Sequence, residues 1–434
     1  MKRVLHLLAV VAVLVLAASP ALAAEEIKVG LIYPLTGSAA SSGAELRAGA
    51  ELAADIANSG MAGVDMTMAK GGGIKSMGGA KLTLIFKDHE GNPTLGADLA
   101  KKLILDDKVV AIVGCFHSSV TKTVSAVCEQ YGVPMINDSS TSPALTRQGY
   151  KWFWRTTPHD EQFTKDLFEF LKGLTEGKSK GVPAVKKADL ANLASACEKT
   201  EWGSSVSDQI GKYAKEYGFE VKKSLLYADK SADLSSEARS LLAAKPDAML
   251  FASYGSDAIL MINTLKSLKA APKLIWGQDA GFEAPDFPVV LGDAVEGILT
   301  RTVFLPKVAD VKKVAGQVNK IYKERTGKDM VGAASRSFTG MQALVHILEA
   351  AGSAKPEAIQ KAANTIAIPG AELVMPWAGV KFSTSGEEIG QNIQGMGLIG
   401  QYQKDASGKM VMEIVYPFDL ASAKLIYPFK GYAN

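Results

Sequence analysis

The chain has 434 residues, 47% of them apolar and 21% charged, with a formal net charge of +3. That length admits two or three domains of ordinary soluble composition. No basic tract and no interleaving of aromatic and basic residues occurs, which excludes nucleic acid as the expected partner, and charge alone points to no macromolecular partner.

The first residues stand apart. Lys2 and Arg3 precede an apolar run over 5–18 broken only by His6, and Ala21-Leu22-Ala23-Ala24 leads into Glu25-Glu26. This is the pattern of a secretory signal, with cleavage expected after Ala23 or Ala24. The run is shorter than the ~20 residues of a spanning helix. No Cys lies beside the cleavage point to carry a lipid, and no later segment is apolar enough to span. The mature protein is expected to be exported, without stable membrane insertion, and periplasmic in a Gram-negative host. Of the three cysteines, Cys115, Cys128 and Cys197, an odd count leaves at least one thiol free. Helix between Cys115 and Cys128 would hold that pair too far apart for a disulfide, and all three read as buried small residues.

Strands and helices then alternate. The run 27–33 (IKVGLIY) reads as a strand buried on both faces. A helix is predicted over 41–58 from the spacing of Leu46, Gly49, Ala50, Ala53, Ile56 and Ala57. Strands follow at 81–87, 109–114 and 133–137, with helices between them on Ala97, Ala100, Ile104 and on Val120, Val124, Val127. Such alternation predicts βαβ units around a parallel sheet. The pattern restarts at 151–156, with strands at 190–197, 221–227, 248–254 and 273–276, giving a second α/β unit. Beyond about residue 290 come helices at 308–326, 333–351 and 356–366, then a tail over 381–416 that alternates like antiparallel strands, with turns at 383–386 and 405–408. The Gly-, Met- and Lys-rich stretch 60–80 lies between a helix and a strand. A phosphate loop has the reverse order, so this stretch reads as a flexible surface insertion.

Catalytic signatures are missing. Gly177-Lys178-Ser179 is out of register for a phosphate-binding loop, and Tyr254-Gly255-Ser256-Asp257 lacks the flanking Gly of a nucleophile elbow. The five histidines show no metal-ligand spacing. His117 adjoins Ser118 and Ser119, but neighbouring residues rarely face each other and no third orienting group is evident. No enzyme activity, cofactor or metal is expected. What remains are polar loops at the carboxyl ends of parallel strands, where open α/β sheets bind ligands. Ser118-Ser119 follow one strand, and 137–142 (NDSSTS) follows the next, both positioned to offer hydroxyls and backbone N–H groups to an anion. Ordinary helix N-capping favours the same residues. In the second unit, Trp202, Tyr254 and Asp279 lie at strand ends. A carboxylate-binding half facing a half with aromatic walls and an anion describes a cleft for a small amino acid or similar ligand.

The segments GLIYPLTG at 30–37, VVAIVGCFHSS at 109–119 and VPMINDSSTSPALT at 133–146 carry a resemblance, with WRTTP at 154–158, TEWG at 200–203 and VEGIL at 295–299. From about Ile27 onward the chain resembles the leucine/isoleucine/valine-binding protein family, the substrate-binding components of ABC importers. The resemblance implies two doubly wound parallel-sheet lobes joined by three crossings near Thr157, Arg301 and Ala378. Lobe 1 would comprise 25–157 with 302–378, and lobe 2 would comprise 158–301 with 379–434, after a signal peptide over 1–24. It implies that Ser118 and Thr141 hold a carboxylate, with Ser119 and Ser140 beside them and Ser139 offering a carbonyl. Asp279 takes the ammonium position, and Trp202 and Tyr254 form the walls. The partner implied is an inner-membrane permease. Ser139 and Ser140 replace small apolar residues of the family pattern, Ser42 replaces an aromatic, and His117 replaces a cysteine. Amides, urea and aromatic acids are therefore alternative ligands, and a sensory receptor is an alternative role.

Overall fold

Apolar runs too short for helices must pair side by side to satisfy their backbone groups, and burial on both faces favours parallel pairing. A computed structural model, describing residues 26–432, shows two such sheets. The export signal expected over 1–24 therefore lies outside the described residues.

The first sheet contains β1 (Glu26–Tyr33), β2 (Lys81–Asp88), β3 (Ala111–Gly114), β4 (Met135–Asn137) and β5 (Phe153–Arg155), in the order β2-β1-β3-β4-β5 and parallel throughout. Its connecting helices are α1 (Ala40–Ser59), α2 (Pro93–Leu105) and α3 (Ser118–Tyr131). The α2 start follows from its sequence: the Asn92 side chain accepts the N–H groups of Thr94 and Leu95, and Pro93 takes the first helical position.

The second unit comprises α4 (Asp160–Thr175), β6 (Asn192–Glu198), α5 (Glu201–Tyr217), β7 (Glu220–Tyr227), α6 (Ser235–Ala243), β8 (Ala248–Ala252), α7 (Gly255–Ser267), β9 (Leu274–Gly277), α8 (Asp286–Leu291) and β10 (Leu299–Thr302). After β10 the chain forms α9 (Lys313–Thr326), α10 (Gly332–Ala351) and α11 (Pro356–Ala363), then the short pair β11 (Ile368–Pro369) and β12 (Gly379–Val380). A final hairpin, β13 (Leu398–Lys404) and β14 (Met410–Tyr416), adds antiparallel strands to the second sheet, whose order is β14-β13-β10-β9-β8-β6-β7. The chain thus doubles back: α10 lies along α1, so closely that a Cβ on Gly49 would fall 2.1 Å from the Ala334 carbonyl oxygen. The fold is α/β, with two parallel-sheet halves.

Three sequence expectations are corrected. The 60–80 stretch is packed, not a loose insertion: Met66 and Ile74 are fully buried, Val64, Met68 and Ala69 nearly so, and the Glu349 carboxylate accepts the N–H groups of Lys75 and Ser76 at 2.6 and 3.0 Å. Its buried Val64, Met66 and Met68 alternate with Asp65 and Thr67, and that spacing rather than composition carries the information. The 308–326 helix breaks into a 3₁₀ turn over Pro306–Asp310 followed by α9. The tail is strand only at β13 and β14 after β12, because the intervening stretch turns at the positive φ of Gly386 and Gly390. All three cysteines are free and buried, as expected. Among the described residues no helix is long and apolar enough to cross a membrane.

Candidate functional site

The carboxyl ends of the two sheets face each other. In the first, β3 passes through a turn in which Phe116 takes φ +84°, a strained conformation for a bulky residue, before Ser118 opens α3. The β4 loop is shaped by Asn137, whose Oδ1 accepts the N–H groups of Ser139 and Ser140 and whose Nδ2 donates to the Ser140 carbonyl. Buried Arg155 clamps it further, donating to the Ser142 carbonyl at 2.6 Å. Burial pulls the Arg155 guanidinium down to about 10. The two loops lock together: the Ser142 N–H donates to Ser118 Oγ at 3.3 Å, and the Thr121 and Ser140 hydroxyls lie 2.5 Å apart. Ser118, Ser140 and Thr141 are buried and Ser119 is half-buried. Ser139 turns its hydroxyl to Asp138 at 2.6 Å, and Asp138 accepts from the Tyr33 hydroxyl.

From the second sheet come Trp202, in the first turn of α5, and Tyr254, immediately before α7. Their rings lie 4.7 Å apart, and Tyr254 sits 4.3 Å from the His117 ring, so the aromatic wall meets the first loop directly. Burial pushes the Tyr254 hydroxyl up, while the Ser118 backbone N–H opposes that shift. Tyr254 thus lies over the start of α3.

Asp279 occupies the turn after β9 with φ +63°, another strained non-glycine position. Its Oδ2 lies 2.9 Å from both Arg301 Nη1 and Arg336 Nη1. Arg301 continues to Thr141 Oγ1 at 3.3 Å and Asp160 Oδ1 at 3.5 Å, and its guanidinium stacks 3.9 Å above Phe163. Thr141 in turn donates to Asp160 Oδ2 at 2.9 Å. Burial would push the Asp279 carboxyl up, but the two arginines outweigh it and hold it down; neighbouring Glu283, buried against that charge, is pushed well up. Asp279 and Thr141 therefore belong to one charged ladder, already paired within the protein. An ammonium group at Asp279 would have to displace an arginine.

The structure brings Ser118, Ser119, Ser140 and Thr141 to one corner, with Tyr254 and Trp202 against it. Asp279 reaches that corner only through Arg301. Sequence reasoning missed Arg301, Arg336 and Asp160, as well as Glu198 and Asp257 considered below. The available signal was local: Arg301 and Arg336 are single charges in runs of small or apolar residues, and a buried charge needs partners.

His117 and Ser118 form no catalytic pair: Ser118 Oγ takes the Ser142 N–H, and the His117 ring packs on Tyr254. One metal-like cluster occurs among the described residues, His159, Glu161 and Glu388. Arg147 already contacts both carboxylates, at 2.5 and 2.7 Å, and Lys212 adds a second cation to Glu161, so salt bridges fill the place of an ion. At the rim a cavity of about 900 Å³ opens between the halves, lined by Ser119, Ser142 and Arg147 on one side and Thr200, Glu201 and Asp208 on the other.

Two facing α/β halves with polar strand ends define a type I periplasmic binding fold. A family model described as periplasmic binding protein matches residues 26–406, and the chain belongs to that family. It is 27% identical over 405 residues to a Leu/Ile/Val-binding protein homolog of Brucella abortus, covering 92% of this chain and 93% of the relative. Among solved structures it is similar to a leucine-binding protein of Thermotoga maritima, at a TM-score of 0.74 with 22% identity, covering 91% of this chain and 99% of that one. It is also similar to an ABC transporter solute-binding protein of Rhodopseudomonas palustris in complex with 3,4-dihydroxybenzoic acid, at 0.70 and 18%, covering 93% and 98%.

Proposed function

We propose that this protein captures a small carboxylate-bearing solute, an amino acid or a related acid, between its two halves and delivers it to an inner-membrane ABC permease. The observation that carries this reading is the corner where Ser118, Ser119, Ser140 and Thr141 meet the Tyr254–Trp202 wall. Hydroxyls and the N–H groups of the α3 terminus suit an anion, and the rings suit the apolar body of the ligand. In this reading lobe 1 (25–157 with 302–378) and lobe 2 (158–301 with 379–434) close as hinged bodies after export to the periplasm. Tyr254 lies where the solute's carboxylate would bind, so the solute enters an opened form and Tyr254 swings out with its lobe. Solved neighbours in complex with isoleucine and with 3,4-dihydroxybenzoic acid hold ligands that each carry a carboxyl group, which supports this reading.

A thermal-shift screen of the mature chain against amino acids, amides and aromatic acids tests the proposal. A ligand at about 100 times its Kd stabilises by about 2.7 kcal/mol. Stabilisation by at least one carboxylate, absent with the matching amide, is expected. A response confined to uncharged solutes contradicts the carboxylate seat.

A further inference from the structure

The outer strand of a sheet presents backbone N–H and C=O groups that pairing has not used. Among the described residues the two main sheets end in β2, β5, β7 and β14. Two of these edges are covered. At β5 the Arg155 N–H donates to the Gly390 carbonyl and the Arg155 carbonyl accepts the Asn392 N–H, both at 2.8 Å. At β14 the Ile414 carbonyl accepts the Ser422 N–H at 2.9 Å, and the Ile414 N–H donates to Ser422 Oγ at 2.8 Å. A third edge is broken: β7 carries an extra residue, Lys222, against β6, with Glu220 and Lys223 beside it, and a bulge among charges keeps a strand from pairing further. β2 differs from all three. Each of its residues pairs in register with β1. The Asn58 amide takes the first outward position, donating to the Leu82 carbonyl and accepting the Leu82 N–H, both at 2.8 Å, as a neighbouring strand would. Strand groups alternate in direction, so the N–H and C=O of Leu84 and Phe86 also point away from β1, and among the described residues they have no hydrogen-bond partner.

We infer that this edge docks a second copy of the chain, the two β2 strands pairing antiparallel about a twofold axis at Ile85 and joining two five-stranded sheets into one. The axis follows from which groups are free. Placed at Ile85, it lets Leu84 of each copy exchange both backbone bonds with Phe86 of the other, and it leaves the Asn58 cap on Leu82 in place. An axis at Leu84 would require the Leu82 groups that Asn58 holds. The side chains fit the same axis. With α1 and α9, β2 lines a groove of about 510 Å³ whose apolar floor includes Ala48, Leu84 and Phe86. Pairing sets the half-buried Leu84 against Phe86 on this face and Ile85 against its own copy on the other. Charge excludes an axis at Phe86. Arg47 stands 4.7 Å over the Phe86 ring and bonds Glu51 at 2.8 Å. Because α1 brings Arg47 to Phe86 and Asn58 to Leu82, Glu51 lies between them, toward Leu84. The axis at Ile85 therefore turns each Arg47 toward the Glu51 of the other copy, whereas an axis at Phe86 would bring the two guanidinium groups together. One surface meeting itself closes at two copies. The seam runs along the outer edge of the first sheet, and the inference stands apart from the solute-capture reading.

The test combines sedimentation equilibrium of the mature chain across a concentration series with cysteine cross-linking. A mass of two chains that falls toward one on dilution is expected. The dimer is expected to weaken about tenfold or more in Leu84→Pro, which removes an outward N–H, and in Ile85→Lys, which sets two ammonium groups face to face. Residues opposed without mutual hydrogen bonds have Cα atoms about 4.5 Å apart, within reach of a disulfide. Ile85→Cys is therefore expected to cross-link to its copy under mild oxidation, and Leu84→Cys and Phe86→Cys are not; the native Cys115, Cys128 and Cys197 are buried. The cross-link decides the matter where a substitution prevents folding. A mass of one chain at every concentration overturns the inference. So does a dimer that both substitutions leave intact, or one that cross-links at Leu84 or Phe86 instead of Ile85. A single chain that captures a synthetic extended peptide, with capture lost in Leu84→Pro, also overturns it, by giving the edge to another partner.

Discussion

Two polar clusters lie at the same interface, and they differ in whether their carboxylates face an arginine. The ladder Thr141–Asp160–Arg301–Asp279–Arg336 alternates donors and acceptors, and each carboxylate in it has an arginine at 3.5 Å or closer. The cluster of Glu198, Asp257 and His117 leaves a buried acceptor open on every member. Both are buried and built of ionisable groups, and both sit at strand ends, where position alone would nominate either as the ligand site. The difference lies in the carboxylates: those of the ladder face arginines, although Arg301 Nε and Arg336 Nε and Nη2 are themselves buried without a partner, whereas Glu198 Oε2 and Asp257 Oδ2 have no such cation.

That contrast breaks most sharply under Arg301→Ala. Removing one member of a buried network leaves Asp160 without a cation and Asp279 with Arg336 alone, and a loss of about 3–5 kcal/mol in unfolding free energy is expected by chemical denaturation without ligand. Glu198→Gln, at an equally buried carboxylate, is expected to change stability by less than about 1 kcal/mol, because the neutral side chain keeps the bond to the Tyr254 N–H. Equal losses in the two variants would erase the distinction. Thr141→Ala removes a hydroxyl shared between the ladder and the anion corner. It should cost about 1–3 kcal/mol and lower solute affinity about tenfold, with Thr141→Ser restoring both.

A smaller effect separates the interface from α4 behind it. Burial pushes the Asp166 carboxyl up to about 7, with Glu169 adding like charge. The folded chain then keeps a proton that the unfolded chain has released above about pH 4, so this group's contribution to stability falls as pH rises to about 7 and is flat beyond. Asp166→Asn should flatten that slope in melting temperatures taken from pH 5 to pH 8. Smallest is the rim network. Glu388, held down to about 2 first by its hydrogen bond with His159 and then by Arg147, is partly exposed, and Glu388→Gln should cost no more than about 1 kcal/mol, less in high salt.

Much of this was legible in the residues. The apolar runs at 27–33 and 109–114 and the hydroxyl loops at 118–119 and 137–142 carry strand and turn in local chemistry, so the α/β class and the position of the strand-end loops could be read directly. The rest depends on long-range partners. Asp279 reads as a free anion in sequence, and only the fold brings Arg301 and Arg336 to it from β10 and α10. Glu198 follows a run of small apolar residues and Asp257 begins a helix; neither has local spacing that announces a shared cavity. The 60–80 stretch misled because glycine content describes backbone freedom, whereas Met66 and Ile74 were placed by α1 and α10.

The account stands most directly on titration of the mature chain with the strongest ligand of the carboxylate screen. It predicts saturable one-to-one binding, weakened about tenfold or more by Thr141→Ala and by Tyr254→Ala. Affinity unchanged in both variants would contradict the placement of the solute between Thr141 and Tyr254.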